Sequence, residues 1–243
     1  MKSSPLITCL CLFAYAHHAS ALYAKQDVLQ VLEWVREKSN PNLIPINGEP
    51  LNVDLSLELS TIREVDTTRG EVEIIAMSMI RWTDPSLSWS HLLQDKEQLV
   101  DNVSIDTKYL WTPDIVAYNA VNAPELLSTP LALVSHDGEI LYVPNERIRF
   151  RCNLEHFETE EGSNCTLKYG SWTYNGGILN LTNKNNQYST WSYEEDPRFE
   201  ILGIHAERNV KYYPCCPEPY PDVNFILNIR KKTNQGGMFS WKK

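Results

Sequence analysis

The stretch GEVEIIAMSMIRW, Gly70 to Trp82, alternates strictly. Val72, Ile74, Ala76, Ser78, Ile80 and Trp82 fall on one side, with Met77 and Met79 on the other. A side-chain period of two over this length is the pattern of a half-buried strand, whereas a helix would space its apolar residues at three and four. The same texture runs outward in both directions. Upstream, LNVDLSLELSTI places Val53, Leu55, Leu57 and Leu59 on one face; downstream, GEILYV, RIRFRCNL and DVNFILNIR read as further strands. Asp137-Gly138 and Asn175-Gly176 supply turn signals between them. One segment differs: in KQDVLQVLEWVREK, Val28, Leu29, Leu32 and Val35 recur at helical spacing, and Asn40-Pro41 closes it. The expectation is a mainly β chain, an immunoglobulin-like antiparallel β-sandwich with one N-terminal α-helix.

The ends carry a different signal. Met1 and Lys2 precede an apolar run from Pro5 to Ala16, and Ala19-Ser20-Ala21 offers a small-residue cleavage site. This predicts a secretory signal peptide over 1–21, a folded domain over 22–232 and a polar tail over 233–243. No other segment approaches the ~18 apolar residues of a membrane span, so a soluble, secreted product is expected. Loss of the leader removes Cys9 and Cys11, leaving Cys152, Cys165, Cys215 and Cys216. In an oxidising compartment these should pair, and of the three possible connectivities the economical one joins Cys152 to Cys165 and Cys215 to Cys216. Asn102, Asn164 and Asn180 begin glycosylation triplets. The formal charge of −9 disfavours nucleic acid and anionic membranes as partners and mildly favours cationic ligands.

No catalytic constellation is visible. The chain has no Gly-x-Ser-x-Gly, no His-Glu-x-x-His and no phosphate-binding Gly-Lys-Ser/Thr loop. His91, His136, His156 and His205 are scattered singly, and no His or further Cys lies close in sequence to Cys215-Cys216. No metal, no cofactor and no enzyme activity are expected. Aromatic residues instead gather near turn signals: Tyr118 in LWTPDIVAYNA, Tyr169, Trp172 and Tyr174 in KYGSWTYNGG, and Tyr212, Tyr213 and Tyr220 in YYPCCPEPY. Rings on loops of a rigid sandwich make a binding pocket, and several ring faces together attract a quaternary ammonium through their quadrupoles. Trp82, Trp89 and Trp111 sit in strand-like apolar contexts and are expected in the core.

These motifs occur together in a known order. WTDPSLSW, LWTPDIVAYN, DGEILYVP, the loop CNLEHFETEEGSNC, GSWTY and YPCCPEPYPDV resemble the extracellular ligand-binding domain of the Cys-loop receptors, and within it the soluble acetylcholine-binding proteins. The resemblance covers nearly all of the chain after the leader. It implies a ring of five identical subunits that captures acetylcholine, nicotine-like ligands and other cationic amines at each interface. One face would supply Tyr118, Trp172, Tyr213, Cys215, Cys216 and Tyr220. Asp114, Lys168, Ser171 and Asp222 would support them. The neighbouring subunit would add Met77, Met79, Leu141 and Val143, the last two placed on one face by alternation about Tyr142. Neighbouring Cα atoms lie ~3.8 Å apart, below the ~4.4–6.8 Å of ordinary disulfides. A Cys215–Cys216 bond would therefore close a tight ring that stiffens the loop.

Two departures matter. Where the family has a tryptophan five residues before Trp82, this chain has Met77, which is apolar but has no ring quadrupole. An incomplete cage follows. The segment between Cys152 and Cys165 is acidic, lacks the apolar stretch by which channel members dock on a membrane domain, and is one residue shorter. With no span after it, this predicts no pore. The alternatives are a truncated subunit or extracellular part of a ligand-gated channel and, from another class, a structural or adhesive sandwich with no small-molecule site.

Overall fold

The computed structural model describes residues 25–92 and 100–232, so the expected leader and polar tail lie outside the described residues. After the helix α1 (25–38) come β1 (Leu51–Asp66), β2 (Glu71–Thr83), β3 (Asn102–Asp106), β4 (Ile115–Ala117) and β5 (Glu125–Leu126). There follow β6 (Leu131–Ser135), β7 (Glu139–Tyr142), β8 (Asn145–Arg151), β9 (Ser163–Ser171) and β10 (Leu179–Thr182). The last three are β11 (Tyr188–Ser189), β12 (Phe199–Tyr213) and β13 (Cys216–Lys231). The chain is mainly β with one N-terminal helix, as the alternation implied.

Two compact units can be separated. The larger comprises 48–81, 113–129 and 142 onward. In it, β1 pairs antiparallel with β2, β2 with β8 and β8 with β5. A second antiparallel sheet runs β12-β13-β9-β4. The two sheets meet at Ser78 and Tyr169, whose hydroxyls lie 3.4 Å apart in the buried interior. Alternation on β2 holds along its length: Val72, Ile74, Ala76, Ser78, Ile80 and Trp82 are all buried. On β1 the odd-numbered apolar side chains are buried as far as Leu59, although Asp54 and Ser56 on the other face are buried too. A register shift between Leu59 and Thr61 inserts one residue, and the next buried side chain is the even-numbered Ile62. The named pairings are antiparallel except at β1, whose other edge carries β10 and β11 in parallel. That edge covers Asp54, which is buried and accepts from Thr182 Oγ1 at 3.0 Å and Lys184 N–H at 2.9 Å.

The smaller unit holds α1, the antiparallel pair β3–β6 and the segment around Trp82 to Thr112. Trp82 and Trp111 meet edge to face at 6.2 Å, and Trp89 donates its indole N–H to Val100 O at 2.8 Å, so the three tryptophans expected in the core are there. The apolar stripe of α1 is displaced from its expected line. Val31 and Val35 are fully buried, while Leu29 is half exposed, because the inward face follows 28, 31 and 35.

Candidate functional site

Three pieces of the larger unit carry the predicted residues: the segment after β4, the loop after β9, and the β12–β13 hairpin. Tyr118 follows β4, its N–H donating to Lys168 O at 2.8 Å. Asn119 locks the same junction, accepting from Lys168 N–H at 3.0 Å and donating to Thr166 O at 2.7 Å. The Tyr118 hydroxyl donates to Ser171 O. Its ring lies against β9 at Gly170, where a Cβ would fall 2.5 Å from Tyr118 Cε2. Burial pushes the Tyr118 phenol up, so it stays a neutral donor at physiological pH.

Trp172 stands just past β9 and is 72% exposed, with its ring 6.4 Å from that of Tyr118. An exposed tryptophan on a loop needs something to hold the backbone beneath it, and Asp114 does so. Its carboxylate accepts from Ser171 Oγ at 2.6 Å, Thr173 N–H at 2.7 Å and Thr173 Oγ1 at 2.6 Å, and its carbonyl accepts from Trp172 N–H at 3.1 Å. Ser171 Oγ in turn accepts from Tyr174 N–H at 2.9 Å. Thr173 is a contributor that motif reading passed over, although it lies inside GSWTY.

The hairpin brings Tyr213 opposite Cys216 around the turn Pro214–Cys215, with Cys215 exposed at the tip and bonded to Cys216. Pairing then jumps to Lys211 opposite Tyr220, leaving a bulge at Pro217-Glu218-Pro219. Proline has no N–H to give a ladder, which accounts for the interruption. The bulge is used: Pro219 O accepts from Gly176 N–H at 2.7 Å, tying the hairpin to the loop that bears Trp172. Tyr213 and Tyr220 meet edge to face at 5.3 Å.

Asp222 lies two residues past Tyr220 on β13. It is buried, and Lys168 Nζ stands 2.9 Å from its Oδ2 and 5.8 Å from the Tyr118 ring centre. Asn209 Nδ2 donates to Oδ1 at 3.2 Å. Burial is the strongest single influence and lowers the Lys168 ammonium, but the bond to Asp222, the neighbouring Lys211 and the surrounding charges together outweigh it and the net shift is upward. Lys211 lies 4.0 Å from the same Oδ2, and the adjacent Lys168 holds its pKa below the usual lysine value. Thus Tyr118, Trp172, Asp114, Ser171, Lys168 and Asp222 are linked through these contacts, and Tyr213 and Tyr220 form a second ring pair on the hairpin that carries Asp222. Tyr169, counted with the turn aromatics, is not part of it: it is a buried strand residue packed edge to face on Phe225.

The residues expected on an opposite face are placed separately. Met77 and Met79 point from β2 away from its buried side and are half-buried. Leu141 is half-buried on β7, but Val143 lies past the last residue of that strand, so the alternation expected about Tyr142 does not extend to it. Pro144, which cannot donate, follows directly. Both expected disulfides are present, Cys152–Cys165 with Cα atoms 4.9 Å apart. The loop between Cys152 and Cys165 exposes Glu155, Glu158, Glu160 and Glu161 and buries Phe157 against Phe199. Asn102 and Asn164 are exposed. The Asn180 amide is engaged, donating to Asn52 Oδ1 at 2.7 Å and accepting from Arg208 at 2.8 Å.

Residues 29–233 match the neurotransmitter-gated ion-channel ligand binding domain. The chain belongs to that family. Among its relatives are the neuronal acetylcholine receptor subunit alpha-9 of Gallus gallus, 34% identical over 76% of this chain and 38% of the relative. Another is the acetylcholine receptor subunit alpha-L1 of Schistocerca gregaria, 28% identical over 86% of this chain and 40% of the relative. A third is the subunit alpha-type acr-16 of Caenorhabditis elegans, 32% identical over 77% and 37%. The chain thus spans about 40% of the length of these receptor subunits. The ligand-binding-domain family accounts for the two-sheet architecture, and among the described residues no helix is long and apolar enough to cross a membrane.

Proposed function

We propose that this chain reversibly binds acetylcholine and related cationic amines at the interface between copies of itself, without making or breaking bonds. The observation that carries the reading is the group of exposed rings, Tyr118, Trp172 and Tyr213, with Tyr220 beside them, held from below by the Asp114 and Asp222 networks. Large aromatic surfaces left open to water are costly unless something covers them. A quaternary ammonium covers them favourably, by ~0.5–2 kcal/mol per ring contact. The relatives bear the name acetylcholine receptor, which fits the same ligand class. In this reading a neighbouring subunit closes the cage with Met77, Met79, Leu141 and Val143, five copies form a ring, and the product is secreted and soluble. The acidic Cys152–Cys165 loop supports the absence of a membrane partner.

A second reading is favoured by length: relatives extend well beyond the region matched, which fits the extracellular part of a channel subunit. Light scattering of the protein released by expressing cells separates the two. A soluble ring of about five copies supports the first reading, and retention in the membrane fraction supports the second. Acetylcholine titrated by calorimetry should bind the wild type and lose at least about tenfold in affinity with Trp172→Ala. Equal affinity in the variant would remove the cage.

A further inference from the structure

The hairpin carries a charge that bears on which amine is taken, provided the rings receive an amine as proposed above. Asp222 is 3% exposed, and two ammonium groups converge on its Oδ2, Lys168 at 2.9 Å and Lys211 at 4.0 Å. Its Oδ1 is occupied by Asn209. One carboxylate neutralises one ammonium, and the nearer Lys168 is the one it pairs. Lys211, the farther of the two and with its side chain 51% exposed, is the ammonium left able to face a ligand. The other carboxylate near the rings, Asp114, keeps its charge while bonded to Ser171 and Thr173, and makes no ion pair with either lysine among the described residues. Glu218 on the bulge makes no ion pair among the described residues. Lys211 is on the ring side of the hairpin, being the direct cross-strand partner of Tyr220, whose ring touches that of Tyr213.

We propose that Lys211 makes the site selective for amines that carry their own negative charge, a trimethylammonium with a carboxylate a few bonds away, over amines that are only cationic. The rings reward the trimethylammonium in both classes. The fixed ammonium repels net positive ligands and attracts the carboxylate of a zwitterion, and because Lys211 is half exposed both effects are screened by salt.

Glycine betaine and choline share the trimethylammonium and differ in carboxylate against hydroxyl. Both are titrated in competition with acetylcholine against the full chain, its Lys211→Gln and its Lys211→Arg variants, with melting curves to verify folding. The betaine-to-choline affinity ratio should fall on the order of fivefold in Lys211→Gln and stay within about twofold of wild type in Lys211→Arg. In the wild type the ratio should narrow between about 20 and about 500 mM salt. An unchanged ratio in Lys211→Gln overturns the inference and leaves the amine cage standing. Should that variant not fold, a salt-independent ratio in the wild type overturns it. Failure of acetylcholine, choline and betaine alike to bind the wild type overturns both.

Discussion

Asp114 shows how one side chain can organise a loop that no regular element holds. Its carboxylate satisfies the Thr173 N–H and two hydroxyls, so the backbone under Trp172 is fixed by charge-assisted bonds, the strong kind. Asp114→Ala should leave the sandwich folded and reduce acetylcholine affinity by about tenfold, since a hydrogen bond to a charged group contributes ~1.5–3 kcal/mol; calorimetry beside a melting curve checks both parts. Glu146 gives a different test. Burial pushes its carboxyl above the usual 4.5, with Ser78 opposing the shift. The folded state therefore holds this proton more tightly than the unfolded chain. Its contribution to stability is greatest below pH 4.5, declines as pH rises through the raised folded value, and is flat above it. Glu146→Gln should remove that decline and raise the melting temperature at pH 7. A parallel pair of melting-temperature profiles from pH 4 to 8 would show it.

The elements put these residues in place through features that do not show as periodicity. Tyr118 reaches Ser171 because β9 has a glycine, Gly170, where its ring crosses. Gly170→Ala should displace the ring, since the added methyl would overlap it, and weaken acetylcholine binding on the order of tenfold while β9 still pairs with β13. Near-ultraviolet circular dichroism and titration together read the two effects. The hairpin bulge at Pro217-Glu218-Pro219 is legible as a break in hydrogen bonding, but its use as the acceptor for Gly176 is not. On β1, one inserted residue flips the buried set between Leu59 and Ile62, and a parity rule cannot anticipate a bulge that sterically suits the sheet beside it.

At the scale of the whole molecule, the proposed function would make binding through the exposed rings a property of an assembly. On the proposed reading, a second copy must bring Met77 to the cage, where a methionine offers polarisable bulk but no quadrupole. Met77→Trp should tighten acetylcholine binding by about 0.5–2 kcal/mol with no change in the size of the assembly by light scattering. No tightening would show that another side chain already fills that place. The helix, five of the strands (β1, β2, β7, β8 and β13) and the core tryptophans were legible in the sequence alone, because each rests on local periodicity; the disulfide pairing was the economical one of three, and Tyr213 and Tyr220, expected on loops, lie in β12 and β13. Only the tertiary structure decided that Tyr169 is core while Trp172 is open, that Asp54 is covered by parallel strands, and that two lysines share Asp222. Those outcomes depend on which distant strands lie side by side, and long-range pairing leaves no period in the chain.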